Sequence, residues 1–299
     1  MNEHGSITQG LSPRRKAYDI TMRTLLYVSA AIICALLVFL IGYILYRGIP
    51  SLSWQFLTSE ESVINDIEGI LPSIINTVYV IIATLIFILP LGVGSAIYLT
   101  EYATNKKLVS IIEFATETLS GMPSIIFALV GMMVFCQAVG LGTSLIAGAL
   151  SLVMMTLPTI IRTTQESLKT VPQSYREGSL ALGSGKWHMI RTVVLPSSID
   201  GIVTGCILAV GRIVGESAVL MFTAGMGMRM ANFGGDTVAK FFENFFGAAG
   251  STLTVSLYVY AKERADFDQA FAVAVVLLVI AFVINLAAKL AGRKLKKNS

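Results

Sequence analysis

The sequence predicts an all-α, polytopic membrane protein with six transmembrane helices. Of 299 residues, 55% are hydrophobic and only 13% are charged, with a mean hydropathy of +0.75. A soluble domain carries about 25% charged residues. The apolar residues are gathered into runs near the roughly 20 residues that a helix needs to cross the hydrocarbon layer. Lysine and arginine crowd the ends of alternate runs, as expected of a chain threaded repeatedly through a bilayer.

The predicted spans are 25–46, 70–99, 119–139, 144–161, 199–224 and 270–290. Backbone groups in lipid must bond within their own segment, so each is read as a helix. The second is long enough to tilt. Arg14, Arg15, Lys16 and Arg23 precede the first. At 22 residues that run exceeds the roughly 7–15 of a signal-peptide core, so it is read as an uncleaved helix. The chain divides into an N-terminal segment (1–24), a first helix with its outside segment (25–69), a main transmembrane domain (70–290) and a basic tail (291–299).

Orientation follows from counting Lys and Arg. The segments placed inside hold 16 and those placed outside hold five, Arg212 being the remaining one of 22. Both termini are therefore expected in the cytoplasm, the chain being a multi-pass protein of a cell membrane. The outside segment 225–269 carries Phe241, Phe242, Phe245 and Phe246, read as an interfacial helix. The inside segment 163–198 is polar and long, as expected of a loop that folds or docks.

Several chemistries are excluded. The only histidines are His4 and His188, too few for a zinc-protease motif or a histidine-based triad. Cys34, Cys136 and Cys206 lack metal or disulfide spacing and are read as small core hydrophobes. No aromatic-plus-basic stripe suggests nucleic acid. Gly183-Ser184-Gly185-Lys186-Trp187 lacks the first glycine and the Ser/Thr of a phosphate-binding loop, so this chain should not hydrolyse ATP and is not expected to be an enzyme.

Charge inside the fifth run stands out. Arg212 and Glu216 are four residues apart, hence on one helix face and able to pair. Gly201 and Gly205 form a small-xxx-small pattern close to that face, and Gly211 and Gly215 widen the small-residue side. Charges at membrane depth pair with one another or face water. Two readings are open: a structural ion pair, or an anion site lining a path.

In the inside loop, Glu177-Gly178-Ser179, then Gly183, then Val193-Val194-Leu195-Pro196 reproduce the spacing of the EAA loop of ABC importer permeases. Gly178 and Ser179 replace the alanines of that pattern and Val193 its isoleucine. Residues 177–182 suit a short amphipathic helix with Gly183 as its C-cap. Trp187 and 190–194 suit the membrane interface, and Pro196 is expected to break the path before the fifth span. Further segments narrow the resemblance: Pro90-Leu91-Gly92-Val93-Gly94, the stretch from Ala96 to Tyr102, Gly121-Met122-Pro123-Ser124, and Arg212-Ile213-Val214-Gly215-Glu216-Ser217-Ala218. Together they resemble the PstA-type permeases of phosphate importers over about residues 70–290. Ser217 stands where that family has threonine, and Val219 and Ser256 where it has proline.

The resemblance implies a type I ABC importer permease fold, with 163–198 as the EAA-type loop. It implies phosphate as substrate, with another oxyanion such as molybdate or sulfate as the alternative. The implied partners are a second phosphate permease subunit, a dimer of ABC ATPase subunits, an extracytoplasmic phosphate-binding protein and the lipid bilayer, with no nucleic acid. No cofactor is expected in this chain, because ATP would bind the ATPase. Arg212, Glu216, Ser217 and Ser124 would line the substrate path. Glu177, Gly178, Ser179, Gly183, Leu195 and Pro196 would couple it to the ATPase.

Overall fold

A computed structural model describes residues 13–61, 68–228 and 247–297, and among them every regular element is a helix. In chain order these are α1 (Pro13–Gly48), α2 (Trp54–Thr58), α3 (Leu71–Ile97), α4 (Lys106–Ser120), α5 (Ser124–Gly131) and α6 (Leu145–Lys169). They continue with α7 (Gln173–Ala181), α8 (Lys186–Met189), α9 (Leu195–Gly215), α10 (Ala218–Thr223), α11 (Leu253–Tyr258) and α12 (Phe267–Lys297). Single π-wound stretches prolong α3 (Tyr98–Tyr102), α5 (Met132–Ala138) and α11 (Val259–Glu263), and another joins α8 to α9 (Ile190–Val194).

Among the described residues, five helices are long and apolar enough to cross a membrane, and the α4–α5 pair makes a sixth if read as one broken span. The expected third span (119–139) is thus not straight. The chain turns by 102° between α4 and α5, at Gly121-Met122-Pro123. Proline removes an amide donor and constrains its neighbour, which ends α4.

α6 is the hub. Buried residues make up 72% of its apolar stretch, against none of α1's. Lipid tails are as apolar as leucine side chains, so close backbone approach matters more than hydrophobicity in such packing. The contacts are built from small residues accordingly. A Cβ on Gly92 of α3 would lie 2.4 Å from Ile160, and one on Gly131 of α5 would lie 2.2 Å from the Ser151 hydroxyl. Hydroxyls on α6 bond back along their own helix, Ser151 to the Ala147 carbonyl (2.7 Å) and Thr156 to that of Leu152 (2.6 Å). α1 leans on the bundle only near its end, where Gly48 abuts the Phe271 backbone and Tyr43 meets the Phe271 ring edge-on.

The first amides of α6 need acceptors. Ser144 caps the helix through Ala147 N–H, and Leu145 N–H donates to the Ala248 carbonyl (2.7 Å). Ser144 N–H itself donates to the Thr223 carbonyl. Residues 248–260 of the 225–269 segment therefore fold back into the bundle. The expected interfacial helix at Phe241, Phe242, Phe245 and Phe246 lies outside the described residues.

Other expectations need correction. α6 runs on to Lys169, eight residues past its expected end, because its last two turns pack on α4 and α9 through polar groups. The loop is shortened accordingly. Pro196 does not interrupt the chain: residues 186–215 form one continuous span, the proline sitting in the first turn of α9 just after the π-wound stretch. Ile190 and Val194 do not lie on the interface but are buried with Met189 against Ala96, Leu168 and Val171. Cys34 is exposed on α1, not a core residue.

Candidate functional site

Two regions gather the residues singled out above. The first is the end of α9. Gly201 and Gly205 face α6, where added Cβ atoms would meet the Ser167 and Thr163 hydroxyl oxygens at 2.3 Å. This fixes the antiparallel register of α9 on α6. Continued at 1.5 Å per residue, the register sets Arg212 level with Thr156, about 16 Å from the Leu145 end of a helix about 37 Å long. Arg212 therefore sits near mid-depth. Gly211 and Gly215 beside it are exposed, and a Cβ on either would meet nothing within 4 Å. The four glycines thus serve two faces, one packed and one open.

The expected Arg212–Glu216 pair is not formed. α9 ends at Gly215, and Glu216 has extended backbone (φ −87°, ψ 118°). The two residues no longer share a helix face. Instead the Glu216 carboxylate accepts a hydrogen bond from Val219 N–H (3.3 Å), capping α10. The Glu216 carbonyl accepts from the Thr254 hydroxyl (3.1 Å). Among the described residues Arg212 has no ion-pair or hydrogen-bond partner for its guanidinium. Ser217 is the residue before α10 and gives its carbonyl to Met221 N–H. Ser124 opens α5 after the 102° corner and is half-buried, with no contact to Arg212 among the described hydrogen bonds.

Behind Glu216 lies a cluster of buried hydroxyls that the sequence reading missed. Ser73, Ser251 and Ser256 bond one another at 2.7–3.2 Å, Asn76 donates to the Ser251 carbonyl, and Thr77 accepts from Leu253 N–H. Ser256, standing where proline is expected, is thus a hydrogen-bonding residue. The only signal was the density of Ser and Thr in an apolar stretch.

The second region is the loop. α7 covers Gln173–Ala181 and closes with a Schellman motif. Gly183 N–H donates to the Leu180 carbonyl and Ser184 N–H to that of Ser179, with Gly183 at φ +82°. The Ser184 hydroxyl donates to the Ser179 carbonyl (2.7 Å) and meets the Ser179 hydroxyl at 2.6 Å, tying the turn. Glu177, Gly178 and Gly183 are exposed on this knob, beside exposed Tyr175, Leu182 and Trp187. Leu195 and Pro196 are not brought to it: they lie at the root of α9.

Arg176, next to Glu177, was also missed. Its Nε and Nη2 donate to one oxygen of Glu101 (3.1 and 2.8 Å), Nη2 also to the Leu168 carbonyl (2.9 Å), and Nη1 to that of Val171 (2.6 Å). The side chains are only 12% and 7% exposed, and breaking such a pair from one side costs about 3–5 kcal/mol. By contrast the ion pairs of α4 with α6, Arg162–Glu117 and Lys169–Glu113, are solvent-accessible and contribute little. They line a polar cavity of about 230 Å³. Among the described residues no group of His, Cys, Asp or Glu is arranged to hold a metal.

A family profile described as the binding-protein-dependent transport system inner membrane component matches residues 88–297, most of the chain. The chain belongs to this family. It is 41% identical to a probable ABC transporter permease protein, YqgI, of Bacillus subtilis over 219 residues, 73% of this chain and 74% of the relative. It is 28% identical to the phosphate transport system permease protein PstA 1 of Mycobacterium tuberculosis over 291 residues, 93% and 90% of the two chains. Its fold superposes on the structure of a bacterial alginate ABC transporter in complex with a pentasaccharide-bound periplasmic protein. The TM-score is 0.65 at 16% identity, covering 94% of this chain and 98% of that one.

The chain is an ABC importer permease of the type I fold, a multi-pass membrane subunit. In this permease the span that ends at the first region follows directly on the knob. Residues 186–215 begin in the loop and end at Arg212 and Gly215.

Proposed function

We propose that this permease forms one half of the membrane path of an ATP-driven importer of inorganic phosphate. One observation carries the reading: Arg212 stands at mid-depth beside an open glycine face, without a carboxylate partner among the described residues. A guanidinium at membrane depth costs several kcal/mol unless it meets water or an anion. Its planar fork suits a tetrahedral oxyanion. The likeness to phosphate transport permeases over nearly the whole chain supports phosphate as that anion.

A second, related permease would close the open face of α9 and complete the path. Two ATPase subunits would bind ATP and grip the knobs around Glu177, so that this chain holds no nucleotide itself. An extracytoplasmic phosphate-binding protein would deliver the anion at the far end. Both termini would lie in the cytoplasm of a prokaryotic cell, on the side of the 16 basic residues. Ser124 and Ser217 would add hydroxyl donors to the path. Glu216, by holding the break after α9 open, would keep Arg212 free for the anion. Leu195 and Pro196 would connect the knob to α9.

The test is ATP-driven uptake of radiolabelled phosphate by the complex reconstituted with its partner permease, ATPase and binding protein. Uptake that excess sulfate or molybdate does not suppress supports the reading. Uptake of molybdate or sulfate in place of phosphate would contradict it.

A further inference from the structure

We infer that the Arg176–Glu101 pair is the joint through which movement of the loop reaches the transmembrane helices. The inference rests on the loop being the ATPase-docking element. It assigns Arg176 and Glu101 as positioning residues, distinct from the exposed Glu177 that faces outward.

The geometry is that of a joint rather than a surface ion pair. One guanidinium makes four hydrogen bonds to three groups: the Glu101 carboxylate, and the Leu168 and Val171 carbonyls. The carboxylate belongs to the end of α3. The carbonyls belong to the last turn of α6 and the two residues beyond it, where helix acceptors lack intrahelical donors and the helix dipole is negative. Arg176 is itself in α7, one residue before Glu177. A single rigid side chain thus ties the knob to the ends of two spans, and the low exposure of both partners keeps salt from screening the tie.

A second grip acts on the same turn. The Lys186 ammonium lies 5.0 Å from the centre of the Tyr102 ring. Lys186 starts α8, on the opposite side of the Gly183 turn from Arg176. Both arms of the loop therefore hold the one π-wound turn Tyr98–Tyr102, closed by the bond from Ala103 N–H to the Tyr98 carbonyl. π-turns are uncommon and cluster at functional positions. Beyond it Asn105 caps α4 through the Lys107 and Leu108 amides, and α4 is ion-paired to α6. A push on α7 is passed directly to α3 and α6, which pack closely at Gly92 and Ile160. It reaches α9 through α8.

The experiment uses the complete complex with a cysteine placed at Gly211, where a Cβ meets no atom of this chain, after Cys34, Cys136 and Cys206 are replaced. Thiol labelling at 211 is compared with and without ATP and vanadate. Three versions are tested: the parent, Arg176→Lys and Glu101→Gln. Arg176→Lys keeps the charge and one contact to Glu101 but not the span to both carbonyls. The ATPase subunit should co-purify with all three and hydrolyse ATP. The nucleotide-dependent change in labelling should fall roughly tenfold in the variants, the scale on which side-chain networks modulate coupling. An unchanged labelling response in both variants would overturn the inference. So would loss of assembled complex with Arg176→Lys, which would make the pair a folding element only. Absence of phosphate uptake by the parent would contradict the substrate reading and leave the labelling result, which needs only ATP, to decide the joint.

Discussion

The Glu216 carboxylate accepts its hydrogen bond from the Val219 amide, not from Arg212. That bond exists because valine occupies a position where related permeases are expected to carry proline, which has no amide hydrogen. It caps a helix of only six residues, α10. Glu216→Ala should cost about 1 kcal/mol, the usual worth of an N-terminal cap. Val219→Pro deletes the same bond from the other side. The double variant should therefore be no less stable than the worse single, which thermal unfolding of the solubilised complex will show. Fully additive losses would mean that the bond is not made.

The glycines of α9 should respond in two ways. Gly205→Ala drives a methyl into the Thr163 hydroxyl, with 2.3 Å available, and should lower stability by about 1–3 kcal/mol, with Thr163→Ala restoring part of it. Gly215→Ala meets no atom of this chain and should leave its fold unchanged. Melting of the solubilised permease separates these cases. Equal losses at 205 and 215 would contradict the division into a packed and an open face.

Much of this arrangement was legible in the sequence because its signals are local. Apolar run length located the spans, and the Glu177-to-Pro196 spacing located a helix capped at Gly183. What was not legible depends on contacts between distant residues or on where a helix stops. Arg176 and Glu101 are 75 positions apart, and nothing in either neighbourhood names the other. The break at Glu216 carries no proline, so the fifth run read as continuous to 224 and the Arg212–Glu216 spacing as a helical pair. The corner at Gly121-Met122-Pro123 was within reach, since a proline in a span warns of a bend.

Gly183 is the one loop residue whose backbone, at φ +82°, excludes most side chains. Gly183→Ala should cost about 1–2 kcal/mol of local order. That should weaken retention of the ATPase subunit roughly five- to thirtyfold, if docking needs α7 ended as it is here. Glu177→Lys should weaken retention too, while leaving the fold intact, because Glu177 is exposed. Pull-down of the ATPase by the solubilised permease reports both. Unchanged retention in both variants would remove the knob from the docking surface.

The central claim is that Arg212 is a free cation on the substrate path. The most direct measurement is uptake of radiolabelled phosphate by reconstituted complexes carrying Arg212→Gln, Glu216→Gln or both, normalised to assembled complex. A charged hydrogen bond to the passing anion is worth about 1.5–3 kcal/mol, so Arg212→Gln should lower uptake roughly tenfold or more. Because Glu216 is not its partner, Glu216→Gln should transport nearly as the parent does, and the double variant should fall with the Arg212 single. Near-parental uptake by Arg212→Gln, or recovery of uptake in the double variant, would contradict the account and return Arg212 to a structural ion pair.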